Sequence, residues 1–217
     1  DGAFSCTSLR SITLPSTLKE LGGEVFSGCN NLKEIELPDG LETLGDRAFQ
    51  NSSFSSFKLP RNLKKIGVNA FLNCRNLSSI NFPDGLEEIG EGAFRNCGLT
   101  ELNLPDKEMI IHKNAFAGCD KLKQVFVPGK ILHTASLAND FRLWGAFRKC
   151  RGLERLEFGV GDYSRIPGTI ADGCTSLKEV VIPENVTTIS NGAFIGCSSL
   201  KSIEGSFSEI KFRAFLN

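Results

Sequence analysis

The chain has 217 residues, with 25 Lys and Arg balancing 25 Asp and Glu, and a mean hydropathy of −0.08. The charges are interspersed and form no basic run, so the electrostatics for a phosphate backbone are missing and nucleic acid is not an expected partner. No apolar stretch reaches the ~18 residues that span a bilayer, so no membrane insertion is expected.

The chain opens on Asp1-Gly2-Ala3-Phe4, which reads as the tail of a repeat unit. From there Phe4, Phe26, Phe49, Phe71, Phe94 and Phe116 follow at intervals of 22, 23, 22, 23 and 22 residues. Phe147, Phe194 and Phe215 continue the series after a wider gap. A period of this length marks one small unit stacked on copies of itself. Both ends fall inside the array, as expected for a piece of a longer protein.

The clearest unit runs from Leu32 to Phe49. Ile35 and Leu37 alternate with Glu34 and Glu36, the pattern of a half-buried strand. Pro38 lacks an N–H and ends the ladder, and Asp39-Gly40 makes the turn. Leu41 and Leu44 start a second inward-facing stretch, and Gly45 marks a close backbone approach. Ala48 and Phe49 then turn inward in a short helical turn, followed by a cysteine corner. Corresponding strands begin at Leu9, Leu32, Phe54, Leu77, Leu99, Leu122, Leu153, Leu177 and Leu200. The expected architecture is a β-rich α/β solenoid over 1–217, of about nine turns of 22–23 residues. A parallel sheet forms one face and short helical turns lie elsewhere.

Further along, single slots depart from the pattern. Glu108 stands in a Leu slot and His112 in a glycine slot, which a register shift hiding Met109 or Ile110 would explain. Between Phe116 and Phe147 the interval widens to 31 residues, placing an insertion at about 129–145 with His133, Phe141 and Trp144. It reads either as a recognition loop on a rigid scaffold or as a drifted repeat whose aromatics pack on their neighbours. An irregular turn follows at about 159–171. There Gly159 replaces proline, Pro167 fills the glycine slot, Ala171 replaces Phe, and Tyr163 lies nearby.

Eight cysteines, Cys6, Cys29, Cys74, Cys97, Cys119, Cys150, Cys174 and Cys197, recur once per turn, and Ser52 fills the slot in the turn without one. A sulfur that repeats as a core residue does reads as a reduced, buried thiol. Neither Cys-x-x-Cys nor a histidine cluster supports a metal.

The pattern Leu77-Ile80-Phe82-Pro83-Leu86-Ile89-Gly90-Ala93-Phe94-Cys97 resembles the BspA-type leucine-rich repeat, and the resemblance covers essentially the whole chain. It implies a surface or secreted protein, with adhesion or host-protein binding and no enzymatic activity.

Outward strand positions form two columns. One passes through Gln124, Arg155 and Glu179, the other through Phe126, Glu157 and Val181. Phe126 is the large aromatic on an otherwise polar face, either an anchor for a partner or a side chain shielded by the insertion. The expected partner-binding residues are therefore Phe126, His133, Phe141, Trp144, Arg155, Glu157 and Val181. No catalytic motif, cofactor or metal site is implied. The leading reading is a non-catalytic protein-binding or adhesion module, extracellular or at a cell surface, with a host or matrix protein as partner. The alternatives are a structural spacer in a larger surface protein, or a carbohydrate-binding module using Tyr163, Trp144 and His133 against a glycan.

Overall fold

The computed structural model describes residues 1–133 and 143–216. The chain is a leucine-rich repeat solenoid of about eight complete turns. A typical coil contributes a strand position on a first face, a two-residue strand on a second face, and a corner that carries the phenylalanine.

The second face is the more regular. Strands β1 (Glu20–Leu21) and β2 (Thr43–Leu44) pair in parallel with β4 (Lys65–Ile66), β6 (Glu88–Ile89) and β7 (Ile110–Ile111). A second group joins β10 (Arg165–Ile166), β12 (Thr188–Ile189) and β14 (Glu209–Ile210). On the first face, β3 (Ser56–Lys58) pairs with β5 (Ser79–Asn81). A four-stranded sheet then runs β8 (Gln124–Val127), β9 (Arg155–Phe158), β11 (Glu179–Val181) and β13 (Ser202–Glu204). Every pairing is parallel and joins like positions of neighbouring coils, for example Gln124↔Arg155 and Phe126↔Glu157.

The expected nine-rung ladder on the first face is thus interrupted, because residues 11–14, 34–37 and 101–104 form no strand. Coil length explains the interruption. Five residues separate Phe4 from Leu9, Phe49 from Phe54 and Phe94 from Leu99, whereas six separate Phe26 from Leu32 and Phe71 from Leu77. From Phe116 onward the spacing is uniformly six. There every neighbouring pair of coils makes a ladder. Where a short coil meets a long one, only β3 and β5 pair.

The corner is built of β-turns and not of the expected helical turn. Each corner holds two residues of positive φ four positions apart, such as Asn69 (56°) and Asn73 (61°), or Asn114 (58°) and Gly118 (71°). Asn and Gly tolerate this left-handed region best. The conformation turns successive peptides along the solenoid axis, so corner N–H groups donate to the next coil. Phe49 N donates to Ala70 O at 2.8 Å, Phe71 N to Ala93 O at 2.7 Å and Phe94 N to Ala115 O at 2.7 Å. A helix would have used these groups internally. Among the described residues the one α-helix is α1 (Gly129–His133).

The phenylalanines stack face to face through the interior. Ring centroids of Phe4, Phe26, Phe49, Phe71, Phe94, Phe116 and Phe147 lie 5.1 to 5.8 Å apart in succession, and Phe194 stacks on Phe215 at 5.5 Å. Ala171 interrupts this column. Beside it runs a file of free thiols, each donating to the carbonyl of the corner residue one coil back. Cys74 Sγ reaches Phe49 O at 3.1 Å, Cys97 reaches Phe71 O at 3.1 Å and Cys150 reaches Phe116 O at 3.2 Å. Ser52 Oγ does the same to Phe26 O at 3.2 Å. Cys6 departs from the expectation. It lies two residues after Phe4, where the buried thiols lie three after their corner residue, so half-buried Thr7 takes that slot and Cys6 is exposed at a positive-φ position.

The glycine slot behaves as expected. A Cβ on Gly45, Gly67 or Gly90 would stand 2.6 Å from the backbone of the preceding coil. In the irregular coil ending at Phe116, Met109 is buried in place of Glu108, but Ile110 and Ile111 pair with Glu88 and Ile89 in the ordinary register, so the expected shift is confined to Met109.

Candidate functional site

The uniform spacing after Phe116 lays the outward side chains of β8, β9, β11 and β13 in two straight columns. Gln124, Arg155, Glu179 and Ser202 form one, and Phe126, Glu157, Val181 and Glu204 the other. Four of the expected residues, Phe126, Arg155, Glu157 and Val181, therefore share one surface. Arg155 ties the columns together. Its Nη2 donates to Glu157 Oε2 at 3.0 Å, and its Nη1 is paired with Glu179. The hydrogen bonds to Glu179 and Glu157 hold its guanidinium above its ordinary pKa. The result is a fixed cation with carboxylates on two sides.

Phe126 remains 49% exposed. Its ring lies across the next coil, where a Cβ on Gly159 would stand 2.9 Å from Phe126 Cζ. Glycine in place of the usual proline is what lets the ring lie flat there. Val160, the next residue, is 81% exposed and was not anticipated from the sequence. Its loop is held from behind: buried Tyr163 donates its hydroxyl to Gly159 O at 2.7 Å. Asn185 Nδ2 donates to Gly161 O at 2.8 Å and to Tyr163 O at 2.6 Å. Two exposed apolar side chains, Phe126 over Gly159 and Val160 at the next position, thus stand on a fixed backbone in the ladder that carries Arg155 and Glu157.

Trp144 lies apart from this surface. The N–H of Leu143 donates to Ile111 O at 2.8 Å, as that of His112 does to Ile89 O one coil earlier. Trp144 consequently sits in the corner slot after the second face, its carbonyl accepting from Asn114 N at 2.9 Å. Its ring covers Gly168, where a Cβ would stand 2.8 Å from Cη2. His133 is the last residue of α1. Phe141 lies outside the described residues. Tyr163 is interior, so its ring is not open to a sugar.

Among the described residues, no group of three His, Cys, Asp or Glu side chains is placed to hold a metal ion. No helix among them is long and apolar enough to cross a membrane. His112 Nε2 lies 3.1 Å from Glu88 Oε1 on the second face, an exposed pair that serves the coil stack.

A family model described as the BspA type leucine rich repeat region matches residues 1–136 and 143–217 in six copies. The chain belongs to the BspA-type leucine-rich repeat family. As a BspA-type repeat protein it is similar to a leucine-rich repeat protein from Bacteroides ovatus. The identity is 27% and the TM-score 0.57, over 99% of this chain and 72% of that one. A leucine-rich repeat protein of T. pallidum is similar at 26% identity and a TM-score of 0.59, over 88% of this chain and 78% of that one. A leucine rich cell surface protein from Faecalibacterium prausnitzii shares the fold at 23% identity and a TM-score of 0.51, over 95% of this chain and 62% of that one. No curated protein matches the chain. BspA-type repeats account for the coil, the phenylalanine column and the cysteine corner; the Phe126–Val160 patch is a local departure from the repeat.

Proposed function

We propose that the chain is a non-catalytic protein-binding module, working in an extracellular or cell-surface setting, that engages its partner through the first-face sheet around Phe126. The observation that carries this reading is the two exposed apolar side chains, Phe126 and Val160, on a braced backbone in the ladder that carries Arg155 and Glu157. Exposed aromatics on rigid supports dominate interface energies, because little side-chain freedom is lost on docking. The fixed charges supply orientation more than affinity. A host or matrix protein with a complementary apolar pocket is the expected partner, and the surrounding BspA-type coils act as scaffold. Family membership supports the surface setting.

The test is binding to a panel of purified extracellular-matrix proteins, with Phe126→Ser and Val160→Ser as variants of otherwise unchanged circular dichroism. Each is expected to weaken a verified interaction by roughly tenfold or more, since a central anchor is worth about 1.5 kcal/mol or above. Full affinity in both variants would move the site elsewhere and favour the spacer reading.

A further inference from the structure

The solenoid gathers cations that are scattered in sequence. In the slot after the aromatic, consecutive coils carry Arg95, Ala117 and Arg148, stacked through Asn96 N donating to Ala117 O and Gly118 N donating to Arg148 O, both at 2.8 Å. Because Ala117 is small, a depression of about 90 Å³ opens between the two arginines, with Asn96, Asn114, Gly118 and Lys149 completing its wall. A second depression, of about 310 Å³, adjoins it, flanked by Arg75 and Lys121 across side-chain-free Gly98. The two share Asn96 and Gly118, so they form one trough. Gly118 cannot carry a side chain, since its Cβ would meet Asn96 Oδ1 at 2.2 Å.

Elsewhere many cations are bridged to a glutamate on a neighbouring coil, as Lys64 is to Glu42 at 2.7 Å and Lys178 to Glu154 at 2.6 Å. Along the trough Arg75, Arg95, Lys121 and Lys149 are exposed and make no ion pair among the described residues. Two acids stand nearby. Asp172 Oδ2 holds Arg148 Nε at 2.7 Å, which occupies one of its five donors. Asp120 lines the second depression, its Oδ1 accepting from Arg151 N at 3.0 Å, and offsets one of the two cations there, so the net positive charge of the trough rests chiefly on Arg75, Arg95, Lys121 and Lys149.

We propose that this trough on the cysteine-corner side binds a sulfated polysaccharide chain. Two adjoining hollows, each between cations two coils apart, suit successive anionic substituents on one polymer. Coils at the β spacing place such rungs about 10 Å apart. Arginine presents a planar fork to a sulfate oxygen pair. Asn96 Nδ2 donates one hydrogen to Asn73 Oδ1 at 2.9 Å, which leaves its second N–H and its carbonyl oxygen, together with the Asn114 amide, for sugar hydroxyls beside the anionic groups. The trough is distinct from the first-face patch, so either assignment stands or falls without the other.

The experiment is calorimetric titration of the chain with a heparin-derived hexasaccharide, its fully desulfated counterpart, poly-glutamate and a charge-matched DNA duplex. The sulfated oligosaccharide is expected to bind and the other three to bind at least tenfold more weakly. Arg95→Ser with Lys121→Ser should raise Kd roughly a hundredfold, about tenfold per charge-assisted contact. The same pair should lower the slope of log Kd against log salt by about two ions. Lys58→Ser with Lys201→Ser removes equal charge elsewhere and should change Kd by less than about twofold, as should Phe126→Ser. The proposal is overturned by no binding of the sulfated probe, by equal binding of any other probe, or by equal losses in the two charge-matched variant pairs.

Discussion

Each buried thiol fills a corner too tight for a larger side chain and donates to a carbonyl that the β-turns leave facing inward. Serine can meet the second demand, as Ser52 does, but buries a stronger dipole. Burial pushes the Cys119 and Cys197 thiols from the ordinary value of 9.0 up to about 12. An acid whose folded pKa is raised keeps its proton when the unfolded chain has lost it, so it favours folding below the unfolded pKa. That contribution fades as pH climbs from about 9 towards 12. Each such thiol should cost about 1.4 kcal/mol of stability per pH unit across this window. Urea midpoints measured in reductant between pH 8 and 11 should therefore fall, and less steeply in a Cys119→Ser, Cys197→Ser double variant. Identical slopes in the two proteins would remove the thiols from the explanation. The file of sulfurs was legible in the sequence because it repeats. The displacement of Cys6 was not, since it needs the aromatic at Phe4, and not the following Leu9, as the reference point.

The elements show a similar division. Alternation and proline placement locate the first-face strands, and the glycine slot marks where coils touch. What simple pattern reading passes over is the alternation of 22- and 23-residue intervals, which decides where strands pair. The corner was misread because an Ala-Phe pair suits a helical turn locally, whereas stacking gains more from peptides that point along the axis. At the candidate surface, Phe126 stood out by breaking a polar column. Val160 did not, because it belongs to a coil whose proline, glycine and phenylalanine slots are all altered. Tyr163 reads as a surface aromatic in sequence yet serves as an internal brace. Tyr163→Phe removes the hydrogen bond to Gly159 and should cost about 1 kcal/mol. It should also speed backbone hydrogen exchange over residues 159–163 relative to the flanking coils. Unchanged exchange there would mean that Asn185 alone holds the loop.

At the scale of the whole molecule, contacts join each coil only to its neighbours, so stability is close to a sum over coils and interfaces. Removing Pro60 through Phe82 joins Leu59 to Pro83 in the same register and deletes one regular turn. The shortened chain should fold, with a urea m-value lower by roughly a tenth, since m follows the surface exposed on unfolding. Aggregation, or an m-value unchanged, would show that the coils are not equivalent modules. Of the two fastenings along the corner, only one is continuous through the described coils. Ring contact ends at Phe147 and resumes between Phe194 and Phe215, because Ala171 stands in the slot between them. The peptide rungs cross that coil without a break, Phe147 N donating to Ile170 O at 2.9 Å and Ala171 N to Ala193 O at 3.0 Å. The corner is therefore a zipper of backbone lined with rings, and a missing ring leaves the seam closed.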